Sequence, residues 1–301
     1  MVRFKYLRTI FILLVTLLMT AIPIQSIAIS NASNPTMTVT PYGLAPAVCV
    51  HQVPNGSIVS SANGVDTVTT PLGTLLRFSA CPYSTIRNPA PEPSSNTGWV
   101  EDENFYYFAG INTLKATWHV PGAPSSYSGQ VIFFFDSETP SDGSEIVQPV
   151  LQYGLTSAGG GAYWAIASWY LTGGNTYVTS LVNVSTLDSI EGEIWYTCSN
   201  NLCREKIMAT DTSTSQGTVL WATAGYYYYG QIVMEGYYEQ SCNQWSSSAS
   251  VSFNSIYAKD MSGYTFTPSW NGWTNTTFSP SCSYVPSYQS PSTVWLTWST
   301  T

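Results

Sequence analysis

Glu235 sits in the run GQIVMEGYYEQ, with Ile232, Val233 and Met234 before it and Tyr237 and Tyr238 after. If this run is a strand, residues of one parity share a face, so Val233, Glu235 and Tyr237 point together. A carboxyl group in that company loses hydration, which raises its pKa and suits general acid or base work in mildly acidic water. The plainer reading is a Glu on the solvated face of a half-exposed sheet. A second feature is QPVLQYG, where Gln148, Val150 and Gln152 share one face and Val147, Pro149 and Leu151 the other. An amide N–H can donate to a developing oxyanion, or simply bond its neighbours. Pro149 cannot donate to a sheet ladder, which predicts an edge strand or a bulge there. A glycosidase would need two carboxylates ~5–10 Å apart. Glu235 and Glu239, four residues apart along a strand, would be separated by ~13 Å, so a partner would have to come from Glu145 or Glu193.

Other chemistries find little support. His51 and His119 are the two histidines, His119 lying in TWHVPG, and no GxSxG motif accompanies either. The glycines of Ser157-Ala158-Gly159-Gly160-Gly161 lack the Lys-Ser/Thr of a phosphate loop and read as a hairpin or surface loop. No CxxC occurs and there are only two histidines, so metal binding by the cysteines is not expected. With 9 Lys plus Arg against 17 Asp plus Glu, nucleic acid is an improbable partner.

The elements that must position these residues read as β throughout. Gly129–Phe135, Tyr177–Val184, Glu191–Cys198, Thr218–Thr223, Gln231–Tyr238 and Ser248–Ile256 are rich in Val, Ile, Thr and aromatics, with Gly, Asn, Ser and Asp between them. No segment after the N-terminus has helical periodicity. Many short strands predict an all-β, antiparallel sandwich or jelly roll over residues 99–301. Before it, residues 1–28 have a basic start (Arg3, Lys5, Arg8), an apolar core and a small-residue site near Ala28. These are the marks of a secretory signal. Residues 29–46 read as a linker or disordered arm, 47–83 as a small β module or propeptide, and 84–98 as a Pro/Ser-rich linker. No later segment is apolar enough to span a membrane, so the mature chain is expected outside the cell or on its surface. Six cysteines in a secreted chain imply disulfides, most simply Cys49–Cys81, Cys198–Cys203 and Cys242–Cys282. Asn31, Asn55, Asn183 and Asn275 lie in glycosylation sequons.

VLQYG, then AYWAIASWY, and some sixty residues later IVMEGYYE and SVSFNSI, resemble the blocks of the glutamic peptidases, or eqolisins. The earlier FAGINTLKATWHVPG is similar to that family's NWAG and Trp-x-Val-Pro segment. The likeness runs from about Phe105 to Ile256. It implies a concanavalin-like β-sandwich, a polypeptide substrate, activity in acid without a cofactor, and a catalytic pair falling on Gln152 and Glu235. Glu235 would activate water and Gln152 would bind the oxyanion, with Tyr153, Trp169 and Tyr237 as substrate-binding candidates. Two departures stand out: IFFFDSE at Ile132 to Glu138 replaces a Trp-x-Gly-Ile-Asp-Gly segment, and Ser168 replaces a Glu. A lectin-like sandwich binding polysaccharide through Trp164, Trp169, Tyr226 to Tyr229, Tyr237 and Trp245, or a jelly-roll glycosidase, are the alternatives.

Overall fold

The computed structural model describes residues 35–83, 98–172, 174–199, 202–223 and 225–301. The signal segment, the first part of the arm and nearly all of the Pro/Ser-rich linker lie outside the described residues. The described part is all-β apart from two single-turn 3₁₀ segments. Its N-terminal strands are β1 (Met37–Thr40), β2 (Gly43–Pro46), β3 (Val50–Val53), β4 (Ser57–Ala62), β5 (Val65–Thr69) and β6 (Leu75–Ser79). Then come β7 (Trp99–His119), β8 (Val131–Thr139), β9 (Ile146–Thr156), β10 (Gly159–Leu171), β11 (Thr176–Thr179), β12 (Val182–Asn183), β13 (Ser189–Ser199), β14 (Leu202–Asp211), β15 (Gln216–Ala222) and β16 (Tyr227–Tyr237). The last strands are β17 (Ser250–Asp260), β18 (Thr265–Phe266), β19 (Asn271–Thr274), β20 (Ser287–Ser290) and β21 (Thr293–Thr297).

Two layers face each other. One runs β11–β10–β9–β8–β16 and ends on the first half of β7, which also carries β19. The other runs β15–β14–β13, then the second half of β7, then β17 and β18. β7 thus belongs to both layers, and Gly110, at φ 76°, lies between its two halves. Period-two alternation drives the stacking: Ile132 and Phe134 of β8, Ile232 and Met234 of β16, and Ala116 and Trp118 of β7 meet in one buried cluster. A second corner forms at Ser255, whose φ of 52° marks a bulge in β17. There the buried residues switch from Val251 and Phe253 to Ile256 and Ala258.

The N-terminal strands join this body directly. β3 pairs parallel with β11, and β4 pairs parallel with β15, so each extends a different layer. Val53, Val59 and Val68 are buried with Tyr170, Tyr177, Ile207 and Leu220 of the body. The three expected disulfides are formed: Cys49–Cys81, Cys198–Cys203 and Cys242–Cys282.

Two expectations are corrected. Residues 37–46, read as arm because of their Pro and Thr content, form the β1–β2 hairpin with Val39, Thr40 and Ala45 buried. β9 is also not an edge, because β8 and β10 flank it. Pro149 still leaves its mark. The β8–β9 ladder is interrupted at Gln148 and Pro149, between Phe135↔Val150 and Glu138↔Val147, whereas both residues pair with β10.

Candidate functional site

Gln152, Phe133 and Glu235 stand in register on three neighbouring strands, Phe133 pairing with both of the others. Residues directly opposite in a sheet share a face, so all three point to the side facing away from the second layer. Gln152 and Glu235 are therefore two strand spacings apart, ~10 Å between backbones. Around them on this face lie Trp99, Val131, Phe135, Val150, Ala167, Trp169, Val233 and Tyr237.

Glu235 is fully buried, which removes the reading of a Glu on a solvated face. Burial pushes its carboxyl well above the usual range, and the negative charge of Glu239 adds to that. The hydroxyl of Tyr237, which donates to Oε1, and the backbone N–H of Gly43 act in the opposite direction. Tyr237 is thus a hydrogen-bond partner of the carboxyl, and its ring closes against Gly98, where a Cβ would come within 2.3 Å of it.

Gln152 is also buried, at 1% exposure. Its Nε2 donates to the carbonyls of Gly154 and Gly159, each at 3.1 Å, so the amide is held by the β9–β10 hairpin. That hold depends on glycine: a Cβ on Gly160, at φ 114°, would lie 2.7 Å from Nε2 and 2.1 Å from the Gly154 carbonyl oxygen. Phe133 lies between the amide and the carboxyl, in the segment where the sequence departs from the family blocks.

Of the three candidate substrate-binding residues, Trp169 and Tyr237 belong to this face. Tyr153 does not. It has the opposite parity to Gln152 and packs between the layers, 5.1 Å from the Trp164 ring. Gln148 shares the face with Gln152, is fully buried, and has no hydrogen-bond partner for its amide among the described residues.

Glu239 overturns an expectation of spacing. β16 ends at Tyr237 and Tyr238 adopts φ 68°, so the chain turns back instead of continuing as a strand. A Cβ on Gly236 would lie 2.8 Å from Glu239 Oε1. Burial lifts the Glu239 carboxyl to about 8, softened by the backbone N–H groups of Glu239 and Tyr237. Glu145 instead accepts from the Tyr227 hydroxyl at 3.2 Å, and Glu193 lies on β13 of the other layer, facing Lys115.

Between the layers lies a second group of carboxyls, Asp136, Glu138 and Glu205, all buried. Burial pushes each well above its ordinary range, and Glu138 and Glu205 each feel a neighbouring carboxyl as well. The four carboxyl oxygens of Glu138 and Glu205 have no hydrogen-bond partner among the described residues. The signal was present in VIFFFDSET, where Asp136 and Glu138 carry the parity of Ile132 and Phe134.

Solved structures similar to this chain include a scytalido-glutamic peptidase with a peptide-based transition-state analog, at 15% identity and TM-score 0.48. The alignment covers 67% of this chain and 98% of that one. SCP-B, a member of the eqolisin family of peptidases in complex with the tripeptide Ala-Ile-His, is similar at 14% identity and TM-score 0.47, with the same coverage. No protein-family model and no curated protein matches the chain.

Proposed function

We propose that this chain is a secreted endopeptidase acting in acid, with Glu235 as general base and Gln152 as oxyanion donor. The observation that carries the reading is the shared face: the two residues singled out by the sequence blocks lie in register across three strands, in a dry apolar setting. In the proposed reaction Glu235 takes a proton from water as that water attacks the scissile carbonyl, then returns it to the leaving amine. Tyr237 holds the carboxylate oxygen that does not face the water, and this hydrogen bond favours the charged form. The Gln152 amide turns from the Gly154 and Gly159 carbonyls toward the tetrahedral oxygen. Trp169 and Tyr237 flank the bound peptide.

An amide and a carboxyl suit acid. The amide does not titrate, while Glu235 acts as base only in its charged form, so water entering with the peptide must relieve the burial that raises its pKa. The test is digestion of an unfolded protein between pH 2 and 5 by the chain and by Glu235→Gln. Loss of the general base is expected to cost at least ~10²-fold in rate. Cleavage that survives the substitution unchanged overturns the assignment.

A further inference from the structure

The β1–β2 hairpin lies on the Glu235 face. Val39 is buried in the same cluster as Trp99, Phe133, Trp169 and Tyr237, and Tyr42 packs edge-on against Trp99 at 5.7 Å. At the tip of the hairpin, Thr40-Pro41-Tyr42-Gly43, the Tyr42 N–H is used internally, on the Thr40 carbonyl at 2.8 Å. The Gly43 N–H is directed instead at the Glu235 carboxyl and the Tyr237 phenol. Glu235 is fully buried with the Gly43 N–H against it, so a polypeptide does not reach its carboxyl while the hairpin stays.

The hairpin is held by side-chain burial and by no strand pairing to the body, unlike the strands after it. β1 and β2 pair with each other and form a two-stranded sheet separate from the main one, whereas β3 and β4 are built into the two layers. The hairpin also precedes Cys49, so the Cys49–Cys81 disulfide does not close over it. Residues 37–46 carry no charged side chain, which matches the dry face they cover.

Building on the peptidase reading, we propose that residues 37–46 are an autoinhibitory plug whose turn occupies the place of a substrate backbone at Glu235, and that activity requires the plug to leave. The rest of the N-terminal segment, residues 50–79, is a structural part of the sandwich and stays. Release of the plug would also admit water to Glu235, restoring the solvation that its charged form needs.

The experiment uses the full chain and two variants. Gly43→Pro removes the N–H and forbids the observed φ of 113°. Val39→Lys places in the apolar face a cation that is charged at pH 2–5, and either change is expected to expel the hairpin while near-native far-UV circular dichroism is kept. Both variants should digest protein at pH 2–5 at least ten-fold faster than the wild type. A labelled peptide spanning residues 35–47 should bind the variants saturably, inhibit them, and not bind the wild type, as read by fluorescence anisotropy. Equal, measurable rates in all three chains overturn the plug and leave the peptidase reading standing. If no chain cleaves but the peptide binds the variants alone, the plug stands and the peptidase reading falls. A peptide that binds none of the chains overturns the plug.

Discussion

Glu239→Gln removes one ionisable group from an interior crowded with carboxyls, and its effect should appear as a change of slope of stability against pH. Burial holds this carboxyl at about 8, against ~4.3 in an unfolded chain. Below pH ~4 both states are protonated and the group contributes nothing to the balance. Above that, the unfolded chain releases the proton while the folded chain keeps it, so stability falls as pH rises, by ~1.4 kcal/mol per unit for one proton. The loss ends near pH 8 and amounts to at most ~5 kcal/mol, a large share of a typical 5–15 kcal/mol total. Gln does not titrate, so the variant lacks this component. The assay is urea unfolding of both chains, disulfides intact, at pH 3, 4, 5 and 6. Glu101, Glu103, Asp136, Glu138 and Glu205 are also raised by burial with no contribution from Glu239, and their common contribution cancels in the difference. The variant is expected to start level with or slightly below the wild type at pH 3 and to exceed it by ~2 kcal/mol at pH 6. Parallel curves for the two chains would refute the reasoning.

Three further outcomes follow from the packing. In Gly192→Ala the new Cβ would lie 2.1 Å from Asp136 Oδ1 and 2.9 Å from Trp118, both buried. A loss of ~1–3 kcal/mol is expected, and thermal melting at pH 4 would expose an error as an unchanged Tm. Removing Cys242–Cys282, which spans 40 residues, should cost ~4 kcal/mol against ~2 for Cys198–Cys203, which spans 5, as measured by urea unfolding of the paired Cys→Ala variants. Reversal of that order would contradict the loop argument. Asn275 is buried, donating to the Trp99 carbonyl and accepting from Thr277, whereas Asn183 is exposed. Folded material from a glycosylating host should therefore carry glycan at Asn183 and none at Asn275, which peptide mass spectrometry will show.

How far the sequence reveals this molecule depends on which force places each residue. Strand parity is local and legible: it puts Gln148, Val150 and Gln152 together, and Glu235 with Val233 and Tyr237, as the structure does. The disulfides are legible because even cysteine spacing around turns leaves few simple pairings. The hairpin of residues 37–46 is not, since its Thr, Pro and Gly content matches an unstructured arm. Only the apolar face beneath it, assembled from β7, β8, β9, β10 and β16, gives Val39 and Tyr42 somewhere to pack. Glu239 turns back because Tyr238 takes a positive φ, which no residue type there announces. β9 sits centrally although it contains Pro149, because the ladder on the β8 side is interrupted at Gln148 and Pro149. The burial of Asp136, Glu138 and Glu205 depends on which face of β8 meets the second layer. That choice is non-local, although the parity of VIFFFDSET already groups the first two.

The parallel pairing of β3 with β11 and of β4 with β15 also sets an order of events in folding. Val50 pairs with Thr176, and Ser57 with Leu220, so strands made early wait more than a hundred residues for their partners. Such distant contacts close slowly, because the chain entropy between them is lost before any bond is gained. Until then β3 and β4 present bare edges able to pair with another chain. The Cys49–Cys81 loop and the β4–β5–β6 meander are local and can form first. They would hold those edges in a small folded nucleus while the rest of the sandwich is made.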